Sequence, residues 1–190
     1  MTDFLKQRLE DYNKEHCWQY QIRIDNLEED LIEIKDIVDY KTLTTSDFVF
    51  KPILENKQKE NAINFIKRHE WLGTMTQYTT HYFGAYYKDI LAGVITFSVP
   101  NSFSKLLGEN THELERLISR GACISWSPKN LASKFLMWCI DYMVKNTPYR
   151  LFTAYSDPTA KELGTIYQPC IVTGKQIGRA SCRERVSSPV

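Results

Sequence analysis

The segment from His81 to Val99 places the strongest constraint on the fold of this chain. Its two runs, His81 to Tyr87 and Ile90 to Val99, are rich in aromatic and β-branched residues and are separated by Lys88-Asp89. Two such runs joined by a two-residue turn predict an antiparallel β-hairpin. The 190 residues of the chain are enough to bury this hairpin within one domain.

Hydrophobic periodicity places further strands and helices around the hairpin. The predicted strands cover Phe48 to Ile53, Leu114 to Ile124 and Tyr149 to Tyr155, and the predicted helices cover Lys57 to Glu70 and a segment that begins near Asn130. The strand that precedes Asn130 alternates unevenly, as a bulged strand does. This order predicts an α+β fold, a three-layer α/β arrangement in which helices flank a mixed, mostly antiparallel sheet.

Residues 1–47 are predicted to form an N-terminal extension of this domain. Residues 2–16 have the spacing of an amphipathic helix, and Tyr20 to Ile24 alternates as a short strand does. Asn26, with Glu29 three positions on, predicts a capping box at the start of a second helix. The apolar face of that helix comprises Leu27, Leu31, Ile34 and Val38.

Residues 176–190 differ from the rest of the chain. They have neither helical nor strand periodicity, and residues 176–186 resemble the translation of a common sequencing adapter. We therefore treat them as a non-native tail, which limits the domain to residues 48–175, and we expect its C-terminal strands to be truncated. Without the three arginines and one glutamate of the tail, the 24 basic and 23 acidic residues become 21 and 22, a net charge of −1. This balance excludes sequence-independent DNA binding by a strongly basic surface.

Composition narrows the class of protein further. Hydrophobic residues make up 43% and charged residues 25% of the chain, as in a soluble folded protein. No apolar run reaches the roughly 20 residues of a membrane helix, and the first ten residues are too charged for a secretory signal, so we expect a cytoplasmic protein. The five cysteines have neither metal-ligand spacing nor the density of a disulfide scaffold, which predicts buried thiols.

Two loops carry residues suited to chemistry. Residues 125–133 contain small polar side chains and Lys129 at the start of a helix, which predicts a phosphate site or, alternatively, a simple N-cap turn. Residues 155–158 follow the last strand, where open sheets often bind ligands. Asp157 in this segment is a candidate general base or, alternatively, part of an Asp-Pro turn. Tyr167, further along the chain, is a candidate proton donor or, alternatively, a tyrosine of the core.

The motifs together resemble the phage Mom family over residues 48 to 170. They are the helix Asn56 to Gly73, the hairpin Tyr82 to Ser98, Leu114-Glu115-Arg116-Leu117, Pro128-Lys129-Asn130 with Ser133, Tyr155-Ser156-Asp157-Pro158, and Gly164-Thr165-Ile166-Tyr167-Gln168. That family is a divergent branch of the GCN5-related N-acetyltransferase fold and is associated with modification of adenine in DNA. The resemblance therefore implies a DNA-modifying transferase with an acetyltransferase-like sheet.

The resemblance also implies a small-molecule donor, acetyl-CoA or a related acyl-CoA. Its pyrophosphate would lie on Lys129, Asn130 and Ser133, and its pantetheine arm would lie beside Leu117, Ile118 and Ser119. The usual glycine-rich acetyltransferase turn is replaced here by Pro128-Lys129-Asn130.

The reaction implied by the resemblance places a carbamoylmethyl group on the exocyclic amine of adenine. Asp157 would deprotonate or orient the amine, Tyr167 would hold or protonate the leaving group, and Tyr155 completes the catalytic candidates. An adenine amine in duplex DNA is hidden by pairing, so the base must be flipped and stacked on a ring. The substrate-binding candidates are His69, Trp71, Tyr82 and Ser156.

Other roles remain open for several of these side chains. The aromatic residues also suit ordinary strand packing, and the possible phosphate contacts Lys67, Arg68, Arg120 and Lys129 also suit a solvated surface. His69, His81 and Asp157 are scattered without a ligand spacing, so no metal ligand is assigned. The sequence predicts an anti-restriction DNA-modification enzyme; the alternatives are an acyl-CoA-dependent N-acyltransferase for a protein or small amine, and an inert binding module.

Overall fold

The computed structural model describes residues 13–103, 110, 112–164 and 166, together with the backbone of residues 179–182. The strands are β1 (Phe48–Pro52), β2 (Thr79–Tyr87), β3 (Ile90–Ser98), β4 (Glu115–Cys123), β5 (Leu151–Ala154) and β6 (Arg179–Cys182). The helices are α1 (Trp18–Asp25), α2 (Leu27–Ile32), α3 (Asn56–His69) and α4 (Leu131–Asn146). The predicted α+β class is confirmed.

The sheet has the strand order β1-β2-β3-β4-β5-β6. Neighbours from β1 to β4 are antiparallel, whereas β5 runs parallel to β4 and β6 runs parallel to β5. The predicted hairpin is β2 and β3, in which Tyr87 pairs with Ile90. The sheet is thus mixed and mostly antiparallel, as the order of the elements predicts.

The predicted bulge lies in β4. Arg120 pairs with Thr96 and Ile118 pairs with Phe97, so Ser119 is the extra residue on its strand. A bulge bends a strand and re-aims the side chains next to it. It is therefore positioned to shape the edge of β4 that faces β5.

Two hydrophobic clusters cover the sheet. One is built from α4 and the middle strands, and includes Phe83, Phe97, Phe135 and Phe152. The other is built from α3 and the N-terminal layer, and includes Ile34, Ile66 and Trp126. Ile34 and the partly buried Leu27, Leu31 and Val38 pack into this cluster as predicted, but the helix ends at Ile32, so Ile34 and Val38 do so from the turns that follow it.

The predicted strand from Tyr20 to Ile24 is wrong, because those residues belong to α1. Gln19 and Arg23, one helical turn apart, both hydrogen-bond to the domain, and these contacts hold the segment as a helix. The predicted capping box is also wrong. Asn26 has helical backbone angles, and its side chain donates to the Arg68 carbonyl at 3.0 Å instead of capping a helix.

The outer edge of β5 is paired with the backbone of β6. We expected that edge to lose its cover, and the structure instead places four residues of the predicted non-native tail along it. A sheet edge presents a free row of backbone donors and acceptors, which pairs with any extended segment within reach.

None of the helices within the described ranges combines the length and hydrophobicity needed to span a bilayer. The cysteines in those ranges, Cys17, Cys123 and Cys139, are free thiols, and Cys17 and Cys139 are buried as predicted. The remaining two, Cys170 and Cys182, lie outside the residues whose side chains are described.

Candidate active site

The parallel pair β4 and β5 stays in register over only three residues. Glu115, Arg116 and Leu117 pair with residues 151–153, and beyond this point β4 continues to Cys123 while β5 ends at Ala154. Beyond this point β4 no longer pairs with β5; the Ser119 carbonyl accepts from the Arg120 side chain and the Gly121 N–H donates to Glu70. The opening begins at the Ser119 bulge.

The predicted donor-binding residues of β4 line the start of this opening. Leu117 and Ser119 are half-buried, whereas the Ile118 side chain is buried in the cluster beneath α4. The Ser119 hydroxyl lies 3.0 Å from the Thr96 hydroxyl. The bulge thus places a polar side chain where a passing ligand would meet the strand.

The turn before α4 has the features of an anion site. Asn130 has a left-handed backbone (φ 67°), and its side chain makes no cap hydrogen bond to the helix. The N–H groups of the first turn of a helix attract anions, and more so when no side chain caps them. Lys129 is exposed beside this turn and Ser133 is half-buried within it.

Three buried polar atoms in the preceding loop support this interpretation. The Ser125 and Ser127 hydroxyls and the Trp126 indole nitrogen have no hydrogen-bond partner among the described residues. Unsatisfied buried polar groups are uncommon in folded proteins, and such groups are suited to hydrogen-bond a ligand or a water. The residues present therefore fit an anionic, hydrogen-bonding group such as the phosphate end of a coenzyme.

The N-terminal layer holds this loop in place. Arg23 donates to the Ser125 carbonyl at 2.8 Å and also to the Ser127 carbonyl. The Ser125 N–H donates to Asp30 at 3.3 Å, and Asp30 also accepts from Arg68 at 2.8 Å. Burial lowers the pKa of Arg23 from its usual value. These bonds link the N-terminal extension directly to the turn before α4.

Replacing Asp30 with alanine is expected to lower the free energy of unfolding by about 1–3 kcal/mol, because the buried Ser125 N–H would lose its acceptor. Urea denaturation measures this loss. Asp36→Ala, at an exposed position of the same layer, is the matched control and should change the midpoint little. Equal midpoints for the two variants would contradict the structural role of Asp30.

The loop after β5 brings a second group of polar residues to the opening. Asp157 is half-buried, and its carboxylate accepts a hydrogen bond from the Thr159 N–H at 2.8 Å. This is the Asp-Pro turn that we considered as the alternative to a catalytic role. Ser156 is buried and Tyr155 is 41% exposed. Tyr167 lies outside the described residues.

Glu162 connects this loop to the end of α3. Its two carboxylate oxygens accept from the Asp157 N–H at 3.0 Å and from the Trp71 indole N–H at 2.9 Å. Trp71 lies just after α3, where Gly73 adopts a left-handed backbone (φ 60°) that lets the chain turn sharply. The predicted substrate residue Trp71 is thereby fixed beside the Asp157 loop.

The N-terminal layer completes the wall around Trp71. The ring of Trp18 packs edge-on against the Trp71 ring, with centroids 5.2 Å apart, and is 46% exposed. Gln19 accepts from the Trp71 N–H at 3.1 Å. An exposed tryptophan therefore borders the candidate site.

Glu70 lies next to Trp71 and faces β4. Its side chain is 11% exposed, and its Oε2 atom lies 3.3 Å from Nε of Arg120. Burial raises the pKa of Glu70 to about 7; the charge of Glu162 adds to this rise, while Arg120 and a hydrogen bond from the Gly121 backbone oppose it. A carboxyl with this pKa holds and releases a proton near neutral pH.

The substrate candidate His69 and the histidine considered as a metal ligand, His81, lie elsewhere. His69 is buried against the Phe65 ring and lies 3.7 Å from Asp30, and burial lowers its pKa. His81 lies against the Tyr149 ring, and burial together with Arg116 lowers its pKa. Across the described part of the chain, no three His, Cys, Asp or Glu side chains are grouped to hold a metal ion.

Tyr82 is half-buried on β2 and packs against the cluster beneath α3. Of the predicted phosphate contacts, Arg68 is paired with Glu29 and Asp30, and Arg120 is paired with Glu70 and donates to the Thr74 carbonyl at 2.6 Å. Lys67 and Lys129 are exposed. Only these two lysines keep the environment of a surface phosphate contact.

Three residues of the candidate site were not predicted from the sequence: Glu70, Glu162 and Trp18. One signal for Glu70 was present in the sequence, since it lies four positions after the inward-facing Ile66, at the spacing of the apolar stripe predicted for this helix, although the helix itself ends at His69. A carboxylate on such a stripe is unusual. Nothing in the local sequence around Glu162 or Trp18 indicates their contacts with Trp71.

The sequence was compared with models of known protein families. The family model described as the Mom protein family matches residues 51–170, more than half of the chain. The chain belongs to the Mom family. Membership of this family indicates a role in phage DNA modification and confirms the resemblance seen in the sequence. No curated protein matches the chain.

The Mom match also divides the site into two parts. It includes Glu70, Trp71, Arg120, Asp157 and the turn before α4. Trp18, Gln19 and Arg23 precede the match, although they contact Trp71 and the 125–127 loop. The N-terminal layer therefore lies outside the region matched to the Mom family but contacts that region.

Proposed function

We propose that this Mom family chain is an enzyme that transfers an acyl-derived, carbamoylmethyl-type group to the exocyclic amine of adenine in phage DNA, protecting it from restriction. The observation that carries the proposal is the match to the Mom family over the residues that form the opening between β4 and β5. Polar, acidic and aromatic side chains lie around this opening. A transferase that acts on the amine of a planar base requires groups of these kinds.

The donor in this proposal is acetyl-CoA or a related acyl-CoA, whose thioester supplies an activated carbonyl carbon. Lys129 and the N–H groups at the start of α4 bind its phosphates, with Asn130 and Ser133 beside them. The backbone of β4 from Leu117 to Ser119 binds the extended arm. The uncapped helix start and the orphaned hydroxyls of Ser125 and Ser127 support this assignment.

The acceptor in this proposal is a flipped adenine that enters beside Trp71. Trp71 and Tyr82 supply stacking surfaces, and the exposed ring of Trp18 extends the wall. Asp157 orients the amine from the loop after β5, where Tyr155 and Ser156 also lie, and Tyr167 holds the leaving group. A small shift of this loop would separate the reacting atoms, which explains why Glu162 ties it to Trp71.

One observation favours a second candidate, an N-acyltransferase for a protein or small amine. Arg68 and Arg120 are held by carboxylates of the protein itself, which leaves few cations for a DNA backbone. A binding module without catalytic activity on the same fold is the third hypothesis. The three differ in which acceptor, if any, gains the transferred group.

An acceptor competition tests the proposal. The purified chain is incubated with acetyl-CoA as the probe donor and with duplex DNA, spermidine or a lysine peptide as the acceptor. The masses of the products are measured by mass spectrometry. We expect mass to be added to adenine in the DNA. Acylation of the amines with DNA unchanged would replace the proposal by the second candidate, and no transfer to any acceptor would favour an inert module.

A further inference from the structure

We propose that Glu70, rather than Asp157, takes the proton from the acceptor amine; this inference rests on the proposed transfer to an amine. Glu70 projects from the end of α3 onto β4, where it contacts Arg120 and the Gly121 backbone. These two residues directly follow the Ser119 bulge, on the part of β4 that β5 no longer pairs. The carboxylate therefore lies at the opening itself.

The hydrogen bonds around Arg120 leave Glu70 incompletely satisfied. The Arg120 guanidinium donates to the Thr74 and Ser119 carbonyls, each at 2.6 Å. The Glu70 Oε2 atom is buried and has no hydrogen-bond partner among the described residues, although Arg120 lies within ion-pair distance. A carboxylate kept only for stability would be fully hydrogen-bonded, because an unsatisfied buried acceptor is costly.

The neighbouring carboxylates are already engaged. Asp157 accepts from the Thr159 N–H, and Glu162 accepts from Trp71 and from the Asp157 N–H. Glu70 is the one of the three with a buried oxygen that lacks a hydrogen-bond donor in the described structure. It is thus the carboxylate with an acceptor site left for a substrate proton.

The charged groups around Glu70 set a pKa that suits this role. Burial and the negative charge of Glu162 favour the protonated form, whereas Arg120 on β4 and the Gly121 N–H favour the carboxylate. The resulting pKa of about 7 lets the group accept a proton and return it within one turnover. Its neighbour at the end of α3, His69, is turned toward Asp30, and burial lowers its pKa.

The proposed step is written for acyl transfer from the probe donor acetyl-CoA, for which it balances; a carbamoylmethyl group would instead be bonded to the amine nitrogen through its methylene carbon, and Glu70 would take the same N–H proton. The amine nitrogen attacks the thioester carbonyl carbon, so that a C–N bond forms and the C–S bond breaks. One N–H proton passes to the Glu70 carboxylate, and the sulfur leaves with the electron pair of the C–S bond. Glu70 then returns the proton to the thiolate, which leaves a free thiol, an N-acylated acceptor and the carboxylate restored.

The test compares Glu70→Gln with Glu60→Gln, the same change at an exposed position of α3. Rates are measured from pH 5.5 to 9 with acetyl-CoA and both DNA and amine acceptors. We expect Glu70→Gln to lower kcat about 100-fold and to abolish the rise in rate through pH 7, with the KM for acetyl-CoA little changed. Glu60→Gln should match the unmodified chain.

A second readout does not depend on activity. The Glu70 pKa is raised on folding, so its contribution to stability is lost as pH rises through about 7. His69 acts in the opposite direction, since its lowered pKa destabilises the fold on acidification, and the difference between chain and variant isolates Glu70. Glu70→Gln should therefore flatten the fall in unfolding free energy between pH 5 and 8.

The outcomes separate this inference from the proposed function. Loss of amine acylation in Glu70→Gln, with DNA never modified, would retain Glu70 as the base and reject adenine as the acceptor. Modified adenine at an undiminished rate and with an unchanged pH profile in Glu70→Gln would reject Glu70 and retain the function. A chain that acylates no acceptor, or a variant with an unaltered pH dependence of stability, would overturn the assignment to Glu70.

Discussion

Replacing Phe83 with alanine is expected to lower the free energy of unfolding by about 3–5 kcal/mol. Phe83 lies in β2 and is 1% exposed. Its ring makes edge-on contacts with three other aromatic rings, those of Phe97, Trp138 and Tyr142, at centroid distances of 5.6, 6.0 and 5.5 Å. Rigid rings from a strand and a helix cannot collapse into the space left by a missing phenyl group, so the cavity term adds to the lost burial.

Urea denaturation followed by tryptophan fluorescence measures this effect. Phe103→Ala is the matched control, because Phe103 is 36% exposed and contacts only the His112 ring among the aromatic residues described. We expect the control to change the midpoint little. If Phe83→Ala cost no more than the control, the cluster beneath α4 would not be the core that holds the sheet.

Replacing Ser133 with glutamate is expected to raise the KM for an acyl-CoA donor by about tenfold or more, because a carboxylate near the bound phosphates repels them by over 1 kcal/mol. Ser133 is half-buried in the first turn of α4, beside the uncapped N–H groups. A negative charge at this end of a helix favours the helix itself. The fold should therefore be as stable as before or slightly more so.

The neutral variant Ser133→Gln has nearly the same size and separates charge from bulk. We expect its KM to stay much closer to that of the unmodified chain. A similar loss in both variants would mean that the side chain is simply too large for the turn. An unchanged KM in Ser133→Glu would place the donor phosphates away from α4.

The sheet and its two main helices were predictable because their signals are local and repeated. The aromatic and β-branched runs of β2 and β3 span nine residues each, and α4 keeps its apolar stripe over 16 residues. The strand predicted from Tyr20 to Ile24 rests on three alternating residues. In that short segment the contacts of Gln19 and Arg23 with the domain decide the structure.

The site was predictable in part. Residue type and position pointed to Lys129 and Asp157, which lie in loops that follow strands, and to Ser133 in the first turn of α4. The contact between Trp71 and Glu162 spans 91 positions in the sequence. Such a contact depends on how α3 and the loop after β5 meet around β4, and periodicity carries no information about it. The same holds for the burial that sets the pKa of Glu70.

The central claim is that this chain modifies adenine in DNA, and mass spectrometry of nucleosides from cells that express it tests this most directly. The account predicts a new deoxyadenosine derivative whose added mass identifies the transferred group, and its absence in cells expressing Glu70→Gln at equal protein level. DNA in which every deoxyadenosine keeps its ordinary mass, from cells that contain the folded chain, would contradict the account.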